Sequence, residues 1–233
     1  MRKNQQIETT LSDLFLRFFI GLGSGFMGTL VLVIVLFLTW SIVGDTLSQT
    51  IETTNDNTPS LTPQEKTHPM FLSIVTLGFF LATLTANLTF CVVLSNLQER
   101  FTIKTNTVIT QVFFGNLILL FAILPVYLLA SGFYGAQGIL LSAVVHTIIT
   151  GMFTYLTLEN YHNHHYMMVA IYGIIVSILF FGLWFCFLFT NFALTVFLIF
   201  PLYLSMVGFG TSCNEMIYQW LKGLYGNDFL KRD

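Results

Sequence analysis

Charge is what this 233-residue sequence has least of: Asp, Glu, Lys and Arg together make up 9% of it. Soluble domains carry about 25%, because a chain of this size has too much surface to leave unsolvated. That scarcity excludes an ordinary soluble domain, a basic face for nucleic acid and a solvated disordered chain. Cysteine is scarce too. Cys91, Cys186 and Cys213 stand far apart and form no CxxC pair, so they read as small apolar packing residues, and a secreted disulfide scaffold is excluded. What is abundant is apolar side chains, 55% of the chain, with 25 Phe among them.

These residues gather in six apolar stretches, near 18–43, 70–94, 107–131, 138–158, 167–190 and 192–213, and every charged residue lies outside them. A bilayer core takes roughly 20 consecutive apolar residues per helix, and each stretch meets that length. Backbone polar groups find no water in lipid, so uninterrupted runs of this kind are expected to be helices. Barrel strands would instead show as alternating segments of about ten residues. The sequence thus predicts an all-α polytopic membrane helical bundle of six transmembrane helices, forming one membrane domain over 1–233. A single straight helix over 167–213 would be about 70 Å long, more than twice the hydrocarbon thickness. A tight hairpin is therefore expected around Thr190 and Asn191.

Orientation follows from the basic residues. Arg2, Lys3, Arg17, Arg100, Lys104, Lys222, Lys231 and Arg232 fall on one side of this topology, and Lys66 alone falls on the other, beside Asp45, Glu52, Asp56 and Glu65. Basic residues accumulate on the cytoplasmic side, so both termini are expected there. The 44–69 segment, rich in Thr, Asn and Pro, is expected as a mobile outer loop. A polar start followed by a long apolar run does not resemble a secretory signal. The expected location is the bacterial inner (cytoplasmic) membrane, with an organellar membrane as the alternative.

Both ends are amphipathic. Ile7, Leu11, Leu14, Phe15 and Phe18 recur at helical spacing before the first stretch, with Glu8, Ser12 and Asp13 on the other side. In the 214–233 tail, Ile217, Trp220, Leu221 and Leu224 stand opposite Glu215, Gln219 and Lys222. The pattern predicts short amphipathic interfacial helices at the cytoplasmic surface, resting on lipid or docking a partner.

Inside the stretches, small and polar residues carry the information. Gly21, Ser24, Gly25 and Gly28 form a small-xxx-small face for close helix packing. A glycine-rich phosphate loop would need a preceding strand and an aqueous helix start. Asn87, Gln111, Asn116, Ser142, His146 and Thr150 are the candidate polar path, with Ser73, Thr76 and Thr83 on the seam of Asn87. Two readings stand: hydrogen bonding between helices, or a path for a polar substrate. His146 is the one ionisable residue in the stretches, and such a residue is a functional candidate by default. No carboxylate accompanies it, which argues against carboxylate-based proton or sodium coupling.

The loop after the fourth stretch brings Glu159, His162, His164 and His165 within seven residues, a set able to ligate a divalent metal. A polar turn at the headgroups is the alternative. No other cofactor and no catalytic residue are expected. Ser24 has no histidine in the last stretch to activate it as an intramembrane serine protease would need. A single intramembrane histidine does not supply two axial haem ligands. The expected function is a non-enzymatic multi-pass membrane protein, working as subunit or partner in a membrane assembly. Its expected contacts are the lipid bilayer and a membrane-protein partner or second copy, with no nucleic acid. The alternatives are a small transporter or channel component with a path centred on His146, and a metal-binding membrane protein using the 159–165 loop.

Overall fold

The computed structural model describes residues 9–54, 69–97, 104–160, 169–175, 177–179, 182 and 192–225. Among them only Thr9, Thr10 and Lys104 are not helical. The elements are α1 (Leu11–Thr54), α2 (Pro69–Leu97), α3 (Thr105–Asn160), α4 (Val169–Leu179) and α5 (Phe192–Tyr225). Four helical segments are long and apolar enough to cross a membrane: Leu11–Thr39, Leu72–Leu97, Thr105–Phe133 and Phe197–Leu224. Where the sequence predicts its fourth and fifth spans, the described residues form the shorter apolar helices Val145–Leu156 and Val169–Leu179. The Thr190–Asn191 hairpin lies outside the described residues.

Local chemistry explains where the helices start. Thr10 and Asp13 cap α1 reciprocally: the Thr10 N–H donates to Asp13 Oδ2 at 2.9 Å, and the Asp13 N–H donates to Thr10 Oγ1 at 3.4 Å. Pro69 opens α2, at the position where a missing N–H costs nothing.

The 56 residues of α3 would measure about 84 Å if straight. They do not run straight. Asn116 Nδ2 donates to Thr154 Oγ1 at 3.1 Å, and Tyr127 Oη lies 3.3 Å from His146 Nδ1. The chain therefore reverses near 134–137, in the segment left between the third and fourth apolar stretches. α3 consists of two antiparallel arms, 105–133 and 138–160.

α1 lies antiparallel to α5. Gly208 faces the backbone of Arg17, Gly21 faces Leu204 and Ser205, Gly25 faces Phe200 and Pro201, and Thr29 reaches Phe197. These contacts step along both helices about one turn at a time. On its other side α1 meets α2, where Gly28 abuts Ala82 and Ala86. α2 in turn packs against both arms of α3. α4 runs antiparallel to α5, with Ser177 Oγ donating to the Met206 carbonyl at 2.7 Å and Asn214 Nδ2 donating to the Val169 carbonyl at 2.6 Å. Successive helices thus alternate in direction. The start of α1, the end of α2, both ends of α3, the start of α4 and the end of α5 share one end of the bundle. There Thr105 Oγ1 also donates to Asn96 Oδ1, joining α2 to α3.

Two expectations need correction. The amphipathic ends are not separate interfacial helices: they continue α1 and α5 without a break, and Thr9 and Arg17 turn inward toward Glu215 and Gln219, while Ser12 stays exposed. Leu11, Phe15, Ile217, Trp220 and Leu224 turn outward, whereas Leu14 is buried. The reason is that opposite charges and amides on the two ends satisfy one another, leaving the apolar faces for lipid. Secondly, α1 continues through Thr54, so the first part of the 44–69 segment is helix rather than loop. Residues 55–68 lie outside the described part.

The exterior is apolar, and the interior combines an apolar core with buried polar side chains. Buried side chains include Arg17, Asn87, Asn116, His146 and Glu215, whereas Phe19, Phe37, Ile118, Phe121, Leu129 and Phe133 point outward, Phe133 at 75% exposure. A hydrocarbon surface, with the polar side chains of these helices kept inside, is the arrangement suited to an integral membrane protein.

Candidate polar site in the bundle interior

Three sets of polar residues occupy the interior, each made by side chains of different helices. The first sits at the shared end of the bundle. Arg17 of α1 is 1% exposed and Glu215 of α5 is 0% exposed. The guanidinium grips the carboxylate with both nitrogens, Nη1 to Oε1 at 3.2 Å and Nη2 to Oε2 at 3.1 Å. Nη1 also donates to Tyr155 Oη on the second arm of α3 at 3.0 Å. Thr9 Oγ1 donates to Glu215 Oε2 at 2.8 Å, and the Thr9 N–H donates to Gln219 Oε1 at 2.9 Å. A bidentate pair with added hydroxyl partners is the geometry in which two buried charges repay their desolvation. Both charges therefore lie within helices of membrane-crossing length, just beyond the charge-free stretches 18–43 and 192–213.

The second set joins α2 to both arms of α3. Asn87 Nδ2 donates to Asn116 Oδ1 at 3.0 Å, and Asn116 Nδ2 donates to Thr154 Oγ1 and to its own helix at the Val112 carbonyl. All three side chains are buried. Beside it, the hydroxyls of Thr83 and Thr147 meet at 3.5 Å.

The third set contains His146. Its Nδ1 pairs with Tyr127 Oη, and the two rings meet edge-on, with centroids 6.1 Å apart and planes at 89°. Its Nε2 has no hydrogen-bond partner among the described residues, and the same holds for Thr76 Oγ1 on α2.

The expected path residues are thus divided. Asn87 and Asn116 come together directly. His146 turns to Tyr127 instead. Ser142 and Thr150 donate to carbonyls of their own helix, Gly138 and His146 respectively. Gln111 is half-buried on the first arm of α3 and has a contact of its own. Of the small residues, Gly21 and Gly25 face the α5 backbone so closely that a Cβ on either would overlap it. Gly28 faces α2, and Ser24 is buried. Of the proposed metal ligands, Glu159 ends α3 without a described side chain, and His162, His164 and His165 lie outside the described residues. Among the described residues, no three His, Cys, Asp or Glu side chains are grouped to hold a metal.

Sequence reasoning missed the Arg17–Glu215 pair, along with Tyr155, Thr9 and Tyr127. The available signal was the opposite charge on the two amphipathic ends, both assigned to one side of the membrane. A further missed contact involves Pro201. Proline has no N–H, so the Phe197 carbonyl one turn earlier loses its helical donor. Thr29 Oγ1 of α1 supplies a substitute at 2.9 Å. Comparison with known protein families, with curated proteins and with solved structures gives no match for the chain.

Proposed function

We propose that the chain is a six-span integral membrane protein, with both termini cytoplasmic, that acts as a non-enzymatic subunit or partner in a membrane assembly. The observation that carries this reading is the first arm of α3. It is buried along a narrow seam, at Val108, Val112, Asn116, Ile123 and Tyr127, and presents large apolar side chains over the rest of its circumference. Such a helix at the periphery of a bundle has both lipid and protein surface available to it. The inward pairing of Asn87, Asn116 and Thr154 supports the same reading, because those amides serve as glue between helices rather than facing a lumen. The basic asymmetry of the sequence, and the start of α1 and the end of α5 lying at one end of the bundle, support the orientation.

The test is direct. The chain is solubilised in mild detergent, crosslinked and weighed. An oligomer, or a membrane protein recovered in fixed ratio, supports the reading. A monomer with nothing recovered after crosslinking overturns it.

A second reading, a small transporter with a path centred on His146, is favoured by the unpartnered Nε2 of that residue. Proteoliposomes challenged with glycerol or urea gradients in stopped flow test it. Equal shrinkage and swelling rates for the native chain and His146→Ala remove His146 from any such path.

A further inference from the structure

Among the described residues, two prolines stand inside helices, Pro125 on the first arm of α3 and Pro201 on α5. Each removes the helical donor of the carbonyl four residues earlier, that of Phe121 and of Phe197 respectively. Hydrocarbon has no water to replace such a donor. Prolines are tolerated in membrane helices where a neighbouring helix or a hydroxyl side chain pairs the freed carbonyl. α5 follows that rule: Thr29 of α1 donates to Phe197, and Gly25 lets the two backbones come close at Pro201.

The first arm of α3 has the same gap with no helix across it. Phe121, Ala122 and Pro125 are all exposed, so the Phe121 carbonyl lies on the outward side of the arm. It stands near the middle of the Thr105–Phe133 span, the depth furthest from water on either side. Among the described residues no side chain donates to it. The polar side chains nearest on the same arm turn inward, Asn116 to Val112 and Thr154, and Tyr127 to His146. The ridge around the gap admits a close neighbour: Ala122, Pro125 and Gly132 recur at helical spacing with Ile118 and Leu129, and the space around Gly132 is open.

We propose that this ridge is the docking face for a membrane-crossing helix of a different protein, which presents a Ser or Thr hydroxyl to the Phe121 carbonyl. The inference rests on the subunit reading above and adds which face meets the partner and by what chemistry. Lipid does not fill the role, because acyl chains carry no donor. A second copy does not fill it either. A two-fold contact joins the same patch on both chains, and the outward residues around Phe121 are apolar. Elsewhere among the described residues, exposed Ser and Thr stand toward or beyond the ends of the spans: Ser12 and Ser41 on α1, Ser73 on α2, Thr107 and Thr110 on α3. The half-buried Thr85 and Thr89 of α2 already donate within their own helix.

The experiment uses the full chain in its host membrane, with the photo-reactive residue benzoylphenylalanine as the probe. It is placed at position 118 on the ridge or, as a control, at position 37 on the exposed face of α1. The crosslinked peptides are then sequenced. Position 118 should link to a membrane helix of another protein, within a turn of a Ser or Thr, and position 37 should not. Pro125→Ala is the second measurement. It gives residue 125 an N–H that pairs with Phe121 inside the helix, so the partner hydroxyl loses its acceptor. Partner recovery at limiting concentration should fall about 3- to 18-fold, the range for hydrogen bonds between membrane helices. The melting temperature of the chain should not fall, since alanine is the better helix former. A link from 118 to a second copy, to lipid alone, or to a helix without Ser or Thr at that depth overturns the proposal. Undiminished recovery with Pro125→Ala does so too. A partner held through other faces would then leave the subunit reading standing, whereas a monomer with nothing recovered overturns both.

Discussion

The Thr29–Pro201 contact permits a test in which one residue's role depends on another's defect. Pro201 leaves the Phe197 carbonyl without its helical N–H, and Thr29 Oγ1 donates to that carbonyl at 2.9 Å from a neighbouring helix. Thr29 is buried, so no bulk water replaces it when it is removed. Replacing Thr29 by Val keeps the shape and deletes the donor. A buried carbonyl left unpaired costs about 1–3 kcal/mol, while hydrogen bonds between membrane helices average about 0.6 and reach about 1.7. Thr29→Val should therefore cost about 1–2 kcal/mol. In a Pro201→Ala background, residue 201 regains an N–H that pairs with Phe197 in the ordinary helical way. Thr29→Val should then cost about 0.5 kcal/mol or less. Reversible unfolding in mixed micelles, run on both single variants and the double variant, measures the coupling as the departure from additivity. Equal costs of Thr29→Val in the two backgrounds would refute the assignment of Thr29 as the substitute donor.

Removing one member of the buried ion pair should be far more damaging than removing both. Arg17→Met leaves Glu215 charged and buried, at a cost of about 3–5 kcal/mol, and Arg17→Met with Glu215→Leu should recover most of that in a thermal melt. Gly25 and Gly23 make a matched comparison on one helix. Gly25→Val drives a side chain into the Phe200–Pro201 backbone and should prevent a stable fold, whereas the space around Gly23 is open. Gly23→Val should shift stability within about 0.5 kcal/mol, as surface changes usually do. Asn116→Leu strands the Asn87 amide and should cost about 1–2 kcal/mol, while Asn87→Leu with Asn116→Leu together should cost less than the separate losses add to.

The helical class could be read from the sequence because every long apolar run lacked charge, and lipid leaves the backbone no alternative to helix at that length. The reversal within α3 could be read as well, since 132–137 separates two runs too long to lie end to end across a membrane. The ends of the bundle were harder to read. Hydrophobic periodicity showed that residues 11–18 and 217–224 have two faces, but not which face turns inward. A lone amphipathic helix rests its apolar face on lipid and its polar face on water. Two such helices, meeting with Arg17 opposite Glu215, have a better partner for the polar faces, and that partner lies 198 residues away in the chain. Within the interior, residue type marked Asn87, Asn116 and His146 as noteworthy but not their pairing. Tyr127 and Tyr155 read as ordinary aromatics, because nothing local shows what a hydroxyl will meet across a helix interface.

The pairing of α1 with α5 has a consequence for how the protein is made. α1 takes as its main partner α5, which is synthesised much later. At synthesis rates of roughly 5–20 residues per second, the 198 residues between Arg17 and Glu215 correspond to about 10–40 s. Throughout that interval the guanidinium has no carboxylate, and the face of Gly21 and Gly25 has no helix against it. A nascent chain in this condition suits holding by an insertase or chaperone. A chain that stops before α5 keeps these defects permanently. Closure of the bundle around α1 thus waits until α5 has been made.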